Sequence, residues 1–206
     1  MILGIDLGSE TKGTSQGVVF DGDTFVVLCD KGFKIKDVHD SIVTIIDEFK
    51  PEVIAIDAPL SVPKGLIQLI DGAAEADLKF LNREVDIQLK KDTGGAMPWC
   101  MISTIAFKGI YIKNLVANNY KGIEVIEAYP GTFGREFGKS KTKDEKGYCD
   151  FVLKRFMDLG FTVDRVLDSH DKADGAIAAF IGYLFRSEDE RLGVSVGDGE
   201  RAYYCW

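Results

Sequence analysis

Two apolar runs in this chain end in aspartate. Ile2-Leu-Gly-Ile-Asp6 opens the sequence, and Val53-Ile-Ala-Ile-Asp57 repeats the pattern. Apolar runs of this length without polar alternation read as strands buried on both faces. Between them Val38, Ile42, Ile45, Ile46 and Phe49 fall on one face of a helix, with Asp37 placed to cap its start and Pro51 to end it. Strand, helix, strand implies parallel neighbours joined by a crossover. Their C-terminal ends then lie side by side, which brings Asp6 and Asp57 to one rim of the sheet. Open α/β sheets bind ligands at that rim. A carboxylate at the end of a buried strand costs free energy unless a donor or a cation meets it. Taken alone, Asp6 has a plainer role as the cap of the glycine- and hydroxyl-rich turn Gly8–Ser15.

The other elements follow from pattern. Gly17-Val-Val-Phe20 and Thr24–Cys29 flank Asp21-Gly22-Asp23, a hairpin signal, so the chain opens with a three-stranded antiparallel meander. A fifth strand runs from Gly122 to Pro130, with the acidic Glu127 close to its end. Residues 61–122 read as a mostly helical insertion after the fourth strand, expected to sit over the rim. Within it Arg83 and Asp86 lie three apart and share a helix face, as an ion pair does, and Thr93-Gly94-Gly95 breaks the helical pattern. A helix is expected over 149–159 with Gly160 at its C-cap. A long helix over 168–185 carries His170, Asp171 and Asp174 in its first turns, then small apolar residues suited to packing on a sheet. The tail from Val194 to Trp206 reads as a terminal hairpin or strap. The expected fold is α/β: a mixed five-stranded sheet flanked by helices, in one domain over 1–206.

Composition excludes several classes. Of the 206 residues 46% are hydrophobic and 28% charged, as in an ordinary globular protein. No apolar run approaches the ~20 residues that span a bilayer. The N-terminal residues lack a signal-peptide pattern, and the four cysteines form no metal-ligand spacing, so a cytoplasmic protein with reduced thiols is expected. A net charge of −8 weighs against a general nucleic-acid binder. Lys139, Lys141, Lys143 and Lys146 nevertheless crowd one glycine-bounded loop. Such a loop is ordinarily solvated. Near a carboxylate rim, Lys141 and Lys143 become candidates to hold an anionic backbone.

Gly4-Ile-Asp6-Leu, Ala55-Ile-Asp57-Ala-Pro-Leu60, Glu127-Ala-Tyr-Pro130 and Asp171-Lys-Ala-Asp174-Gly-Ala resemble, in this order, motifs of the domain-of-unknown-function family numbered 429. Members of that family are described as predicted nucleases with a ribonuclease H-like fold. The helix beginning at His170-Asp171 also resembles the last acidic motif of Holliday-junction resolvases, which share the fold. The resemblance implies that Asp6, Asp57, Asp171 and Asp174 ligate two Mg²⁺ or Mn²⁺ ions. Glu127, close to the end of its own strand, is a further candidate catalytic acid at the rim, or equally a partner for Lys or Arg of the loop that follows. Arg83 and Asp86 match an Arg-x-x-Asp element of the family and so become candidates for substrate binding, although Val85 stands where the family usually has Cys. The implied reaction is metal-dependent hydrolysis of a phosphodiester, with nucleic acid or another phosphodiester as partner. An oxygen-only donor set suits such hard cations. Two other readings stand beside it. Gly4-Ile-Asp6-Leu-Gly8-Ser9 also resembles the first phosphate motif of actin-like ATPases and sugar kinases, which need a second such domain. The third reading is a non-catalytic scaffold that kept the fold.

Overall fold

The computed structural model describes residues 1–8, 15–28, 38–70, 72, 82–95, 97–137 and 144–206. The expected helix cap Asp37 and the loop lysines Lys141 and Lys143 lie outside these residues. Strands β1 (Ile2–Asp6), β2 (Gln16–Phe20) and β3 (Thr24–Val27) form the expected antiparallel meander. Asp21 closes its second turn, its Oδ1 accepting from the N–H groups of Asp23 (2.9 Å) and Thr24 (2.8 Å). Helix α1 (Val38–Phe49) then crosses over to β4 (Val53–Asp57), which pairs parallel to β1. Helices α2 (Lys64–Ile70), α3 (Glu84–Thr93) and α4 (Ser103–Asn119) precede β5 (Glu124–Ala128), parallel to β4. Next come α5 (Glu145–Asp158), β6 (Thr162–Val163), α6 (His170–Arg186), β7 (Leu192–Gly197) and β8 (Glu200–Cys205).

The sheet among the described residues has eight strands, in the order β6-β3-β2-β1-β4-β5-β8-β7, rather than the five expected. The tail is a hairpin, as its pattern indicates. It turns at Asp198 and Gly199, both at positive φ (55° and 81°), the geometry of a tight two-residue hairpin turn. Its second strand docks parallel to β5, a long-range pairing that leaves no local mark. Strand β6, two residues long, is too short to show a period. Helix α5 starts earlier than its apolar pattern, because Asp144 caps it by accepting from Gly147 N–H (3.1 Å).

Both faces of the sheet are covered, which explains the unbroken apolar runs in β1 and β4. On one face Ile2, Val18, Phe20, Val53 and Ala55 pack with Ala176, Ile177 and Phe180 of α6 and Phe156 of α5. On the other Leu3, Ile5, Ile54 and Ile56 pack with Ile42 and Ile46 of α1 and Ile112 and Val116 of α4. Each of the Val, Leu, Ile and Phe side chains contributes roughly 1.5–3 kcal/mol when fully buried. Helix α3 instead covers the terminal hairpin, with Val85 and Leu89 against Ala202 and Tyr204.

One contact sets where α6 ends. A Cβ built on Gly4 would collide with the backbone of Gly175 and Ala179, so helix and strand touch main chain to main chain. Gly182 lies against Ile2 and Ala55, while Gly175 lies near Asp6 N and Gln16 O. Helix α6 therefore runs antiparallel to β1, and its N-terminus stands at the rim where β1 and β4 end. No helix among the described residues is long and apolar enough to cross a membrane.

Candidate functional site

Strand alternation decides which acids share a face. Asp6 follows Ile2 and Gly4 on the α6 side of β1, and Asp57 follows Val53 and Ala55 on the same side of β4. The two aspartates are direct register partners. Neighbouring strands lie about 4.8 Å apart, so the side chains stand next to each other. Both are partly exposed. Asp171 and Asp174 come down to this end on the first turns of α6. Asp174 is buried, at 4% exposure, and its Oδ1 accepts a hydrogen bond from the Tyr148 hydroxyl at 2.6 Å. Burial first, then the charges of Asp174 and Asp57, raise the Tyr148 pKa well above the usual phenol range, so the hydroxyl stays a donor.

Asp171 is met by a histidine. His170 Nε2 lies 2.7 Å from Asp171 Oδ1, and its Nδ1 lies 3.0 Å from Glu145 Oε1. Asp171 raises the His170 pKa above its ordinary value, burial opposes this, and Glu145 adds to the rise. Ser169 caps the helix by accepting from Lys172 N–H at 3.2 Å. The four aspartates thus share one end and one side of the sheet. Among the described residues, however, no three acidic, histidine or cysteine side chains are grouped closely enough to hold a metal ion.

Glu127 belongs elsewhere. Its register partner is Ile56, which faces α1 and α4, so Glu127 projects from the opposite face to Asp6 and Asp57. There it is 6% exposed and is gripped by Arg83, with Nη1 to Oε2 at 2.8 Å and Nη2 to Oε1 at 2.6 Å. Leu60 N–H donates to the same Oε2 at 3.0 Å. Arg83 also holds Asp86, through Nε to Oδ2 at 3.1 Å and Nη2 to Oδ1 at 2.5 Å, and donates from Nη1 to Ser61 Oγ at 3.1 Å. The five N–H donors of the guanidinium are thereby all engaged. Arg83 is 2% exposed and Asp86 9%. Burial pulls the Arg83 pKa down, but Glu127 and then Asp86 more than offset it, so the guanidinium stays charged. The Arg83–Asp86 spacing indicates a pair. The structure makes that pair a sealed clamp joining β5, α3 and the segment at Leu60 and Ser61 that follows β4, with no donor turned outward to a substrate.

The glycines after Thr93 have a local role. Gly94, at φ 72°, caps α3 by donating to Lys90 O, and the Tyr129 hydroxyl donates to Gly95 O.

Two residues at the rim were not singled out by pattern. Lys108 is 8% exposed on α4, and its Nζ donates to Gly8 O in the turn after β1. Its position among Ile105, Ile112 and Val116, on the buried stripe of that helix, is the signal that marks it. Gln16 is 5% exposed and is the register partner of Asp6 on β2. Comparison with family models, curated proteins and solved structures finds no match to this chain.

Proposed function

We propose that the chain is a divalent-cation-dependent phosphodiester hydrolase of the nuclease class, with a ribonuclease H-like core and a site at the Asp6–Asp57 rim. The observation that carries this reading is the register pairing of Asp6 with Asp57 on the side where α6 delivers Asp171 and Asp174. The strand order β3-β2-β1-β4-β5, antiparallel then parallel, supports the fold assignment by analogy, as does the resemblance of four motifs to those of the family numbered 429. On this reading the chain is one domain, and the segment over 61–122 is its insertion.

The donors are oxygens without exception, the chemistry a hard cation takes, and a buried amide oxygen at the same rim, Gln16 Oε1, has no hydrogen-bond partner. As they stand, no three acidic side chains among the described residues are grouped closely enough to hold the ion, so binding would have to draw them together. Asp6, Asp57 and Asp174, with Asp171, would hold Mg²⁺ or Mn²⁺. When bound, such ions neutralise charge on the phosphoryl group and supply a nucleophile at neutral pH. The chain's own groups do the rest. Tyr148 orients Asp174, and His170 orients Asp171. The N-terminus of α6 adds a positive helix-dipole end at the rim, which favours an anionic substrate. Lys141 and Lys143 are proposed to contact substrate phosphates. The Glu127–Arg83–Asp86 clamp fastens the segment after β4, at Leu60 and Ser61, on the face of the sheet away from the site.

Hydrolysis of bis(p-nitrophenyl) phosphate with Mn²⁺, with Mg²⁺ and with EDTA tests the reading. Cation-dependent release of nitrophenol that Asp57→Asn abolishes is the expected result. Tight binding of Mg-ATP in calorimetry, with no diesterase activity, would favour the kinase-like alternative instead.

A further inference from the structure

We infer that Gln16 supplies a neutral oxygen to the cation held at Asp6 and Asp57, an inference that rests on the hydrolase reading above. Asp6 has two register partners, Gln16 across the β1–β2 pair and Asp57 across the β1–β4 pair. Residues opposite one another in paired strands project from the same face. Gln16, Asp6 and Asp57 therefore form a row across three strands at one end of the sheet. Val18 and Phe20, further along β2 with the same parity as Gln16, are in the core beneath α6, which fixes the face.

Within this row Gln16 is anomalous. It is 5% exposed, and its Oε1 is the one fully buried side-chain nitrogen or oxygen among the described residues that lacks a hydrogen-bond partner. Buried polar atoms are almost always satisfied, and leaving one unsatisfied costs the desolvation of the group. A leucine or methionine at this position would escape that cost. An unpaired buried oxygen in the same row as Asp6, its neighbour, and Asp57, one strand further on, is what a positive ligand arriving later would engage. Amide oxygens are hard neutral donors of the kind Mg²⁺, Mn²⁺ and Ca²⁺ accept. A neutral donor also adds a ligand without adding to the repulsion between Asp6 and Asp57 in the cation-free protein.

The test uses the full chain as parent, Gln16→Met, Gln16→Glu and Asp6→Asn, with MnCl₂ alone as the probe. Calorimetry reads affinity, and melting curves with and without Mn²⁺ read the coupling to stability. Gln16→Met should melt at or above the parent without cation and bind Mn²⁺ about 10-fold more weakly or worse, the loss typical of a group that helps hold a metal. Gln16→Glu should melt lower than the parent without cation, and its melting temperature should rise more than the parent's when Mn²⁺ is added. If Gln16→Met fails to fold, Gln16→Glu decides: a Mn²⁺ response equal to the parent's overturns the inference. Parent-like affinity in Gln16→Met, with binding lost in Asp6→Asn, removes Gln16 from the site and leaves the hydrolase reading intact. A parent that binds no Mn²⁺ overturns both.

Discussion

Asp6 and Asp57 face each other across adjacent parallel strands, at the last position of each. Their placement follows from two apolar runs of equal length, a crossover helix between them and a glycine at position 4 that lets α6 lie directly on β1. Like charges at neighbouring positions repel. Both acids stand at one rim, and α6 adds Asp171 and Asp174 from its N-terminal turns; the proposed cation site rests on this placement.

The Arg83 clamp should matter to stability and leave the rim untouched. Removing one partner of a buried ion network strands the others, at a cost of about 3–5 kcal/mol. Arg83→Met should lose stability on that scale in urea unfolding. Arg83→Lys should recover part of it, because it keeps the charge but offers fewer donors. Glu127 lies on the opposite face to Asp6, so neither variant that folds should change Mn²⁺ affinity. A stable Arg83→Met variant with weakened substrate binding would return Arg83 to the site.

Tyr148 should act through Asp174. Its hydroxyl is the donor at 2.6 Å from a carboxylate that is 4% exposed. Tyr148→Phe keeps the ring in its pocket and removes one hydrogen bond to a charged group, worth about 1.5–3 kcal/mol. The variant should be destabilised by that amount in urea unfolding without cation. Because Asp174 is then less well held, its diesterase kcat should fall while KM changes little. Equal stability to the parent would show that the hydroxyl contributes nothing to the fold.

The turn from α6 into β7 should report pH. Asp189 is held down to about 2 by the Arg191 side chain first and by the Arg191 backbone N–H. Its folded value lies below the unfolded one, so its contribution is full above about pH 4 and is lost as pH falls toward 2. The melting-temperature difference between parent and Asp189→Asn should be constant from pH 7 to 5 and shrink between pH 4 and 2.5. A difference that grows with acidification would contradict the ion pair.

Much of this arrangement is readable from the residues. The strands ending in Asp6 and Asp57, the meander and the helix carrying Asp171 and Asp174 each have a period or a turn signal of their own. Glu127 shows where such reading stops. It sits at the end of an apolar strand as the two aspartates do, but β5 is offset by one residue relative to them, and a one-residue offset turns a side chain to the other face. Register is set by pairing between strands, which local pattern does not encode. The same holds for β8, whose parallel docking on β5 joins distant segments. Arg83 and Asp86 show their pairing in their spacing, whereas their burial depends on Glu127 and Leu60 arriving from elsewhere in the chain. Gln16 precedes the apolar run of β2 and carries no signal until it is seen opposite Asp6.

The most direct test of a cation site at this rim is a set of four melting curves: parent and Asp6→Asn, each with and without Mn²⁺. Asparagine keeps the shape of the side chain and removes one of the repelling charges. Without cation, Asp6→Asn should melt at or above the parent. With Mn²⁺ the parent should gain in melting temperature and Asp6→Asn should not. If Asp6 instead serves as a turn cap, its replacement should cost stability, up to about 2 kcal/mol. A destabilised Asp6→Asn that still responds to Mn²⁺ as the parent does would contradict the site and remove its central residue.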